Sequence, residues 1–187
     1  ASTLLKEKDL QIDLYEPVTA VLKNGPRPRN KAGILLDFGF EFHGGVRILT
    51  HWVKNTKPTP GATLPDAMVR LSFGESVSEA MSELGDKGAC NDHSPRVMTV
   101  PITTLSDLEF GQTGYRFVYI QLASPATEWH LKSVVGSFVY RDLEYKGSFK
   151  CSDERLNKIW DTAAYTAHLN IQEYLWDGIK RDRLVWI

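Results

Sequence analysis

An alternation of apolar and polar residues that begins at Gly33 limits the possible folds more than any other feature of this chain. An extended chain places alternate side chains on opposite faces, so this pattern predicts a half-buried β-strand. The apolar positions on its buried face are Ile34, Leu36, Phe38, Phe40 and Phe42. After Gly44 and Gly45 the alternation resumes and continues to Val53. Two-glycine connections are typical of tight hairpins, so the sequence predicts that the chain reverses at these glycines into an antiparallel hairpin.

Further strand signals follow without a long helix between them. They cover residues 68–73, 97–102, 115–122 and 129–140, with turn-rich segments at 111–114 and 124–126. The prolines between Lys54 and Pro65 cannot sustain sheet pairing, so we expect an exposed loop there. Short strands at this spacing favour an antiparallel β-sandwich or jelly roll over a parallel α/β sheet. The sequence therefore predicts a mainly β domain over residues 1–150.

The pattern changes to helical spacing after Lys150. Apolar residues recur at intervals of three and four between Leu156 and Tyr174, which predicts an α-helix of about six turns. Ser152 is the expected N-cap, acidic residues occupy the first turn, and Gly178 is the expected stop. We expect the apolar face of this helix to be incompletely covered, and to self-associate or dock against the sandwich.

Charge and composition exclude several classes of function. The chain has 22 Lys and Arg against 23 Asp and Glu, so it lacks the positive charge needed to bind nucleic acid or an acidic membrane. Its apolar runs fall short of the ~18 residues of a membrane span. Cys90 and Cys151 are too few for a disulfide scaffold, and whether they pair stays open. The chain begins without Met and ends in an apolar stretch, so we expect it to be a piece of a longer protein.

The densest group of polar and aromatic side chains lies at the carboxyl end. Its members are Trp176, Asp177, Lys180, Arg181, Asp182, Arg183 and Trp186. Indole rings stack on pyranose rings, and paired carboxylates transfer protons in sugar-cleaving sites. A solvated, charged turn after a helix is the competing interpretation.

This region resembles the bacterial α-L-rhamnosidases. The matching segments run from Gly147 to Glu154, from Leu156 to Trp160, and from Asp177 to Trp186, which reads DGIKRDRLVW. In that family, the opening helix of a catalytic (α/α)6 barrel leads into a loop of the form DCPxRERxxWxGD. The segments 36–39 and 114–117 also look like strands of the β-sandwich domains that precede the barrel. The resemblance implies an accessory sandwich over 1–150, with the opening helix and part of the active-site loop of a truncated barrel over 151–187.

The resemblance also implies roles for four residues of this loop. Asp182 matches the general acid, and Asp177 matches a carboxylate that binds the rhamnose hydroxyls. Arg181 matches the neighbouring arginine, and Trp186 matches the tryptophan that packs on the sugar. A Gly-Ile pair replaces the Cys-Pro of the family, and Asp182 stands where the family has Glu.

The family inverts configuration, which requires a general base about 6.5 to 9.5 Å from the acid. In the family that base comes from much later in the chain. The resemblance therefore implies a fragment, inactive alone, of a glycoside hydrolase that removes terminal α-L-rhamnose from glycosides or polysaccharides. It implies a rhamnose-containing glycan as partner, no cofactor or metal, and a bacterial parent in the periplasm or secreted. The alternative is a non-catalytic carbohydrate-binding or structural β-sandwich.

Two other groups have structural interpretations that compete with functional ones. Cys90, Asp92 and His93 have a spacing found in zinc sites, but a surface turn explains them without further ligands. Trp52 and Trp129 offer a sugar-stacking platform, although large aromatic residues in strands more often lie in the core.

Two sets of polar residues are interpreted as solvated surface. Glu75, Glu79 and Glu83 recur every fourth residue, which indicates a wet helix face in preference to a paired-carboxylate site. His43 and His51 flank the predicted hairpin and are interpreted as part of a polar strand face.

Overall fold

The computed structural model describes residues 19–55, 67–86 and 96–180 of the chain. Most of the regular structure in these ranges is β, as predicted. The strands are β1 (Ala20–Lys23), β2 (Gly33–Asn55), β3 (Ala67–Gly74), β4 (Val97–Ile102), β5 (Ser106–Leu122) and β6 (Thr127–Phe138). The helices are α1 (Val77–Met81) and α2 (Glu154–Asn170). Within the described ranges, neither helix is long and apolar enough to cross a membrane.

The strands form one antiparallel sheet in the order β1-β6-β2-β5-β3-β4. The two longest strands, β2 and β5, pair from Gly33 opposite Gln121 to Thr50 opposite Ser106. β6 pairs with the later half of β2, and β3 pairs with the later half of β5, so the two halves of the sheet have different neighbours. Side chains from all six strands share one buried core. The predicted mainly β, sandwich-type fold is confirmed, and its jelly-roll detail stays a prediction.

The predicted hairpin at Gly44 and Gly45 is wrong, because β2 continues straight through both glycines. They lie in a β-bulge, where the pairing with β5 shifts register between them. A Cβ on Gly44 would lie 1.7 Å from the Ser137 carbonyl oxygen, and the Gly45 carbonyl accepts a 2.6 Å hydrogen bond from the Tyr115 hydroxyl. The glycines therefore let neighbouring strands approach closely, and the chain does not turn there.

The predicted turn at 111–114 is also wrong, since these residues lie inside β5. Gly111 has a φ of +102° and pairs with Gly45, which places it on the other side of the same bulge. The turn predicted at 124–126 is confirmed, with Ala126 in the left-handed region. Lys54 and Asn55 end β2, and the rest of the predicted proline-rich loop lies outside the described residues.

The helix after residue 150 is confirmed, but its predicted limits are not. The N-cap is Asp153, not Ser152: its carboxylate accepts a 2.8 Å hydrogen bond from the Arg155 amide. The helix ends at Asn170, short of Tyr174, because other groups bond its last carbonyls. The Gln172 side chain donates to the Leu169 carbonyl, and the Trp176 amide donates to that of Asn170, both at 2.9 Å.

α2 contacts the sheet through only part of its surface. The Tyr165 hydroxyl donates a 2.6 Å hydrogen bond to the Glu41 carbonyl on β2, and its ring packs edge-on against Phe40. Leu169 is the one buried residue of the helix, while Leu156 and Ile159 are about half exposed, at 48% and 55%. The apolar face is therefore incompletely covered, as predicted.

Candidate functional site

The segment after α2 returns to the sheet and docks on β5. Ile179 and Lys180 are both buried. The Ile179 carbonyl accepts a 3.1 Å hydrogen bond from the Gly114 amide. A Cβ on Gly114 would lie 2.5 Å from Ile179 Cγ1, so only glycine gives this close approach. We call residues 177–180 the docked loop.

A buried ion pair joins the docked loop to α1. Lys180 Nζ lies 2.5 Å from Glu79 Oε1, and each side chain is only 3% exposed. Burying two charges is costly unless both are paired and hydrogen-bonded. Here the second Glu79 oxygen accepts a 2.8 Å hydrogen bond from the Glu75 amide.

The backbone that carries Glu79 is itself fixed on both sides. Ser76 caps α1, and its hydroxyl accepts a 3.2 Å hydrogen bond from the Glu79 amide. The buried Arg96 guanidinium donates to the carbonyls of Glu79 and Glu83 at 3.2 and 3.0 Å. These hydrogen bonds therefore fix the Glu79 carboxylate in the position where it binds Lys180.

The interpretation of the three glutamates as one wet helix face is wrong, because only Glu79 lies in α1. Glu75 and Glu83 are exposed, as expected, but Glu79 points inward. α1 has only five residues, and the partner of Glu79 comes 101 residues later. No local pattern can reveal such a partner.

A second carboxyl group adjoins this ion pair. The pKa of Glu41 is raised to about 7: burial is the largest cause, the charge of Glu75 and a hydrogen bond with it also raise the pKa, and Lys180 lowers it. Burial also raises the pKa of Tyr165, with a smaller contribution from Glu41. Two neighbouring carboxyl groups cannot both ionise without cost, so Glu41 retains its proton to near-neutral pH.

Asp177 begins the docked loop and is half-buried. The preceding Trp176 packs its indole edge-on against the His43 ring, with ring centres 5.1 Å apart. His43 is itself buried, so its interpretation as part of a polar strand face is wrong, whereas His51 is half-buried. The contact between Trp176 and His43 thus brings the start of the docked loop, which carries Asp177, next to β2, which carries Glu41.

The other predicted loop residues, Arg181, Asp182 and Trp186, lie outside the described residues, so their roles stay predictions. The same is true of Cys90, Asp92 and His93. Within the described ranges there is no group of three or more side chains able to hold a metal ion. Cys151 is a free thiol whose Sγ donates to the Asp153 carbonyl at 3.4 Å.

The two strand tryptophans occupy different environments. Trp129 is fully buried and donates a 3.1 Å hydrogen bond to the Thr50 hydroxyl, which confirms its interpretation as core. Trp52 is half-buried and stacks on the His130 ring at 3.9 Å. His130 and Lys23 both hydrogen-bond Glu128 and hold the pKa of that carboxyl at about 2.

The fold is similar to parts of two solved rhamnosidases. A rhamnosidase from Klebsiella oxytoca with rhamnose bound matches with a TM-score of 0.69 and 21% identity, covering 89% of this chain and 31% of that chain. A GH78 family rhamnosidase of Bacillus sp. GL1 matches with a TM-score of 0.63 and 15% identity, covering 92% of this chain and 16% of that chain. No family model and no curated protein matches the sequence.

These matches confirm the resemblance to the α-L-rhamnosidases at the level of the fold. The chain spans less than a third of the length of either enzyme. Sequence reasoning found Asp177 through the loop motif, and it named Lys180 only as one of the polar residues at the carboxyl end, without a role. It missed Glu41 and Glu79, because their partners come from distant parts of the chain.

Proposed function

We propose that this chain is part of a glycoside hydrolase that removes terminal α-L-rhamnose from glycosides or polysaccharides. The observation that carries the proposal is the docking of the motif-bearing loop, through Ile179 and Lys180, onto a fold shared with a rhamnose-bound rhamnosidase. In this proposal Asp177 binds sugar hydroxyls, and Asp182 donates the proton to the leaving oxygen. Arg181 and Trp186 complete the sugar contacts.

The general base is proposed to come from a part of the protein beyond this chain. In this proposal the second carboxylate for proton transfer and the residues that complete the sugar pocket both lie beyond the 187-residue chain. It is therefore expected not to hydrolyse an aryl α-L-rhamnoside. The proposed location of the whole enzyme is the bacterial periplasm or the medium outside the cell.

The test uses the full-length product of the gene that encodes this chain. Wild type and Asp182→Asn are compared on α-L-rhamnosides with good and poor leaving groups. We expect Asp182→Asn to lose orders of magnitude in kcat/KM on poor leaving groups and much less on activated aryl groups, which need little protonation. Equal losses on both substrates would remove Asp182 from the role of acid. A wild-type protein that binds rhamnose but never cleaves a rhamnoside would favour the non-catalytic sandwich.

A further inference from the structure

We infer that Lys180 and Glu79 are positioning residues, which fix the docked loop on the sandwich and thereby place the sugar-binding carboxylate of Asp177. The inference rests on the proposed function for the role of Asp177. It means that α1, which lies far from the loop motif in sequence, helps to position the sugar site.

The ion pair defines one position for the loop. Both charged groups are almost fully buried, so undocking Lys180 would leave Glu79 as an uncompensated charge beneath the loop. Removing one partner of a buried pair is strongly destabilising for this reason. A surface ion pair would not impose such a restriction, because water solvates its separated members.

Asp177 lies between two fixed points of the backbone. On one side, the Trp176 amide donates to the Asn170 carbonyl at 2.9 Å. On the other, the Ile179 carbonyl accepts from the Gly114 amide at 3.1 Å, and Lys180 is anchored next to it. Only Asp177 and Gly178 separate these anchors, so the path of the chain at Asp177 is closely restricted.

The charges around the pair also favour a lysine at position 180. The carboxyl groups of Glu75 and Glu79 both interact with that of Glu41, and Lys180 is a cation that offsets them. The Arg96 guanidinium, which packs against the same helix, donates to backbone carbonyls there. Loss of Lys180 would leave the three carboxyl groups without this cation.

The first measurement is amide hydrogen exchange in the 187-residue chain. The Gly114 amide bonds Ile179 of the docked loop, whereas the Leu122 amide, in the same strand, bonds Ala32. In Lys180→Met we expect Gly114 to exchange roughly tenfold faster or more, with a much smaller change at Leu122. Global destabilisation would accelerate exchange of both amides alike, so the ratio of their exchange rates reports undocking of the loop alone.

Matched variants separate the anchor from a general loss of charge. Glu79→Gln should act like Lys180→Met, and the exchanged pair Glu79→Lys with Lys180→Glu should restore protection of Gly114 in part. Arg47→Met removes an exposed ion pair with Asp107 and should leave the ratio unchanged. If Lys180→Met fails to fold, Lys180→Arg and Glu79→Asp replace it. Both keep the charges but change the geometry of the pair, so Gly114 should again exchange faster relative to Leu122, by a smaller factor.

The second measurement is kcat/KM of the full-length gene product on an aryl α-L-rhamnoside. We expect roughly a tenfold loss or more in Lys180→Met, expressed mainly in KM, and no change in Arg47→Met. Unchanged exchange at Gly114 would overturn the inference, as would undocking without any loss of kcat/KM. If the wild-type protein neither binds nor cleaves rhamnosides while Gly114 still responds, the proposed function fails and the anchor stands.

Discussion

Glu41 couples folding of this protein to pH. Its pKa is about 7 in the folded state, against 4.5 for an ordinary glutamate. The folded state thus binds the proton more tightly than the unfolded chain, so stability falls as pH rises from about 4.5 to about 7. This direction is opposite to that of a carboxylate in an ion pair, such as Glu128.

Glu41→Gln should remove this loss of stability. We expect the variant to be more stable than wild type by about 1 to 2 kcal/mol at about pH 8, with a difference that shrinks towards pH 4. Urea unfolding at a series of pH values measures it. Glu144→Gln, at an exposed position, is the control and should show little change. A Glu41→Gln difference that stays constant across pH would contradict the assignment.

Gly114 tests the close approach of the docked loop. A methyl group there meets Ile179 Cγ1 at 2.5 Å, so Gly114→Ala should push the loop away and cost about 1 to 3 kcal/mol. Gly25→Ala is the matched control, because nothing lies within 4 Å of its Cβ. The control should change stability little, with a gain of at most about 1 kcal/mol. Equal effects of the two substitutions on the free energy of unfolding would argue against a tight contact.

At the scale of elements, the N-cap of α2 distinguishes two neighbouring residues. Asp153→Ala removes the carboxylate that accepts from the Arg155 amide, so it should cost about 1 kcal/mol. Ser152→Ala should stay within about 0.5 kcal/mol, because Ser152 does not cap the helix. Thermal or urea unfolding followed by circular dichroism compares them. A larger cost at Ser152 would restore the cap predicted from sequence.

Strand positions can be predicted from this sequence, but the path between strands cannot. Alternation locates β2, β3 and β4 because a half-buried strand requires it wherever the chain lies. Whether Gly44 and Gly45 make a turn or a bulge depends on Ser137 and Phe110, which are distant in sequence. The end of α2 likewise depends on Gln172 and on a turn that bonds its last carbonyls.

At the scale of the whole molecule, the exposed face of α2 predicts self-association. Apolar side chains such as Leu156 and Ile159 should pair between copies to leave water. Sedimentation velocity over a range of concentrations should show a dimer, and Leu156→Glu with Ile159→Lys should abolish it. Leu105→Lys changes an exposed apolar residue away from α2 and should not. A monomer at all concentrations would contradict the prediction.

The candidate site was only partly predictable because its residues are far apart in the sequence. The loop motif identifies Asp177, but Lys180 falls on a position that the motif leaves open. Its anchor, Glu79, and the neighbouring Glu41 come from elements that precede residue 150. The predicted division of domains near residue 150 stays a prediction. Tyr165 and Lys180, which follow residue 150, contact Glu41 and Glu79, which precede it.

The pairing of β1 with β6 sets the order in which the chain can assemble during synthesis. Ala20 pairs with Leu131, and the second half of β2 pairs with β6. While the ribosome is still making the chain, β1 has no partner until residues near 131 have emerged. A sheet built from such distant pairings folds slowly and exposes unpaired strand edges meanwhile. Until β6 is complete, the nascent chain therefore exposes the whole of β1 and one edge of the second half of β2.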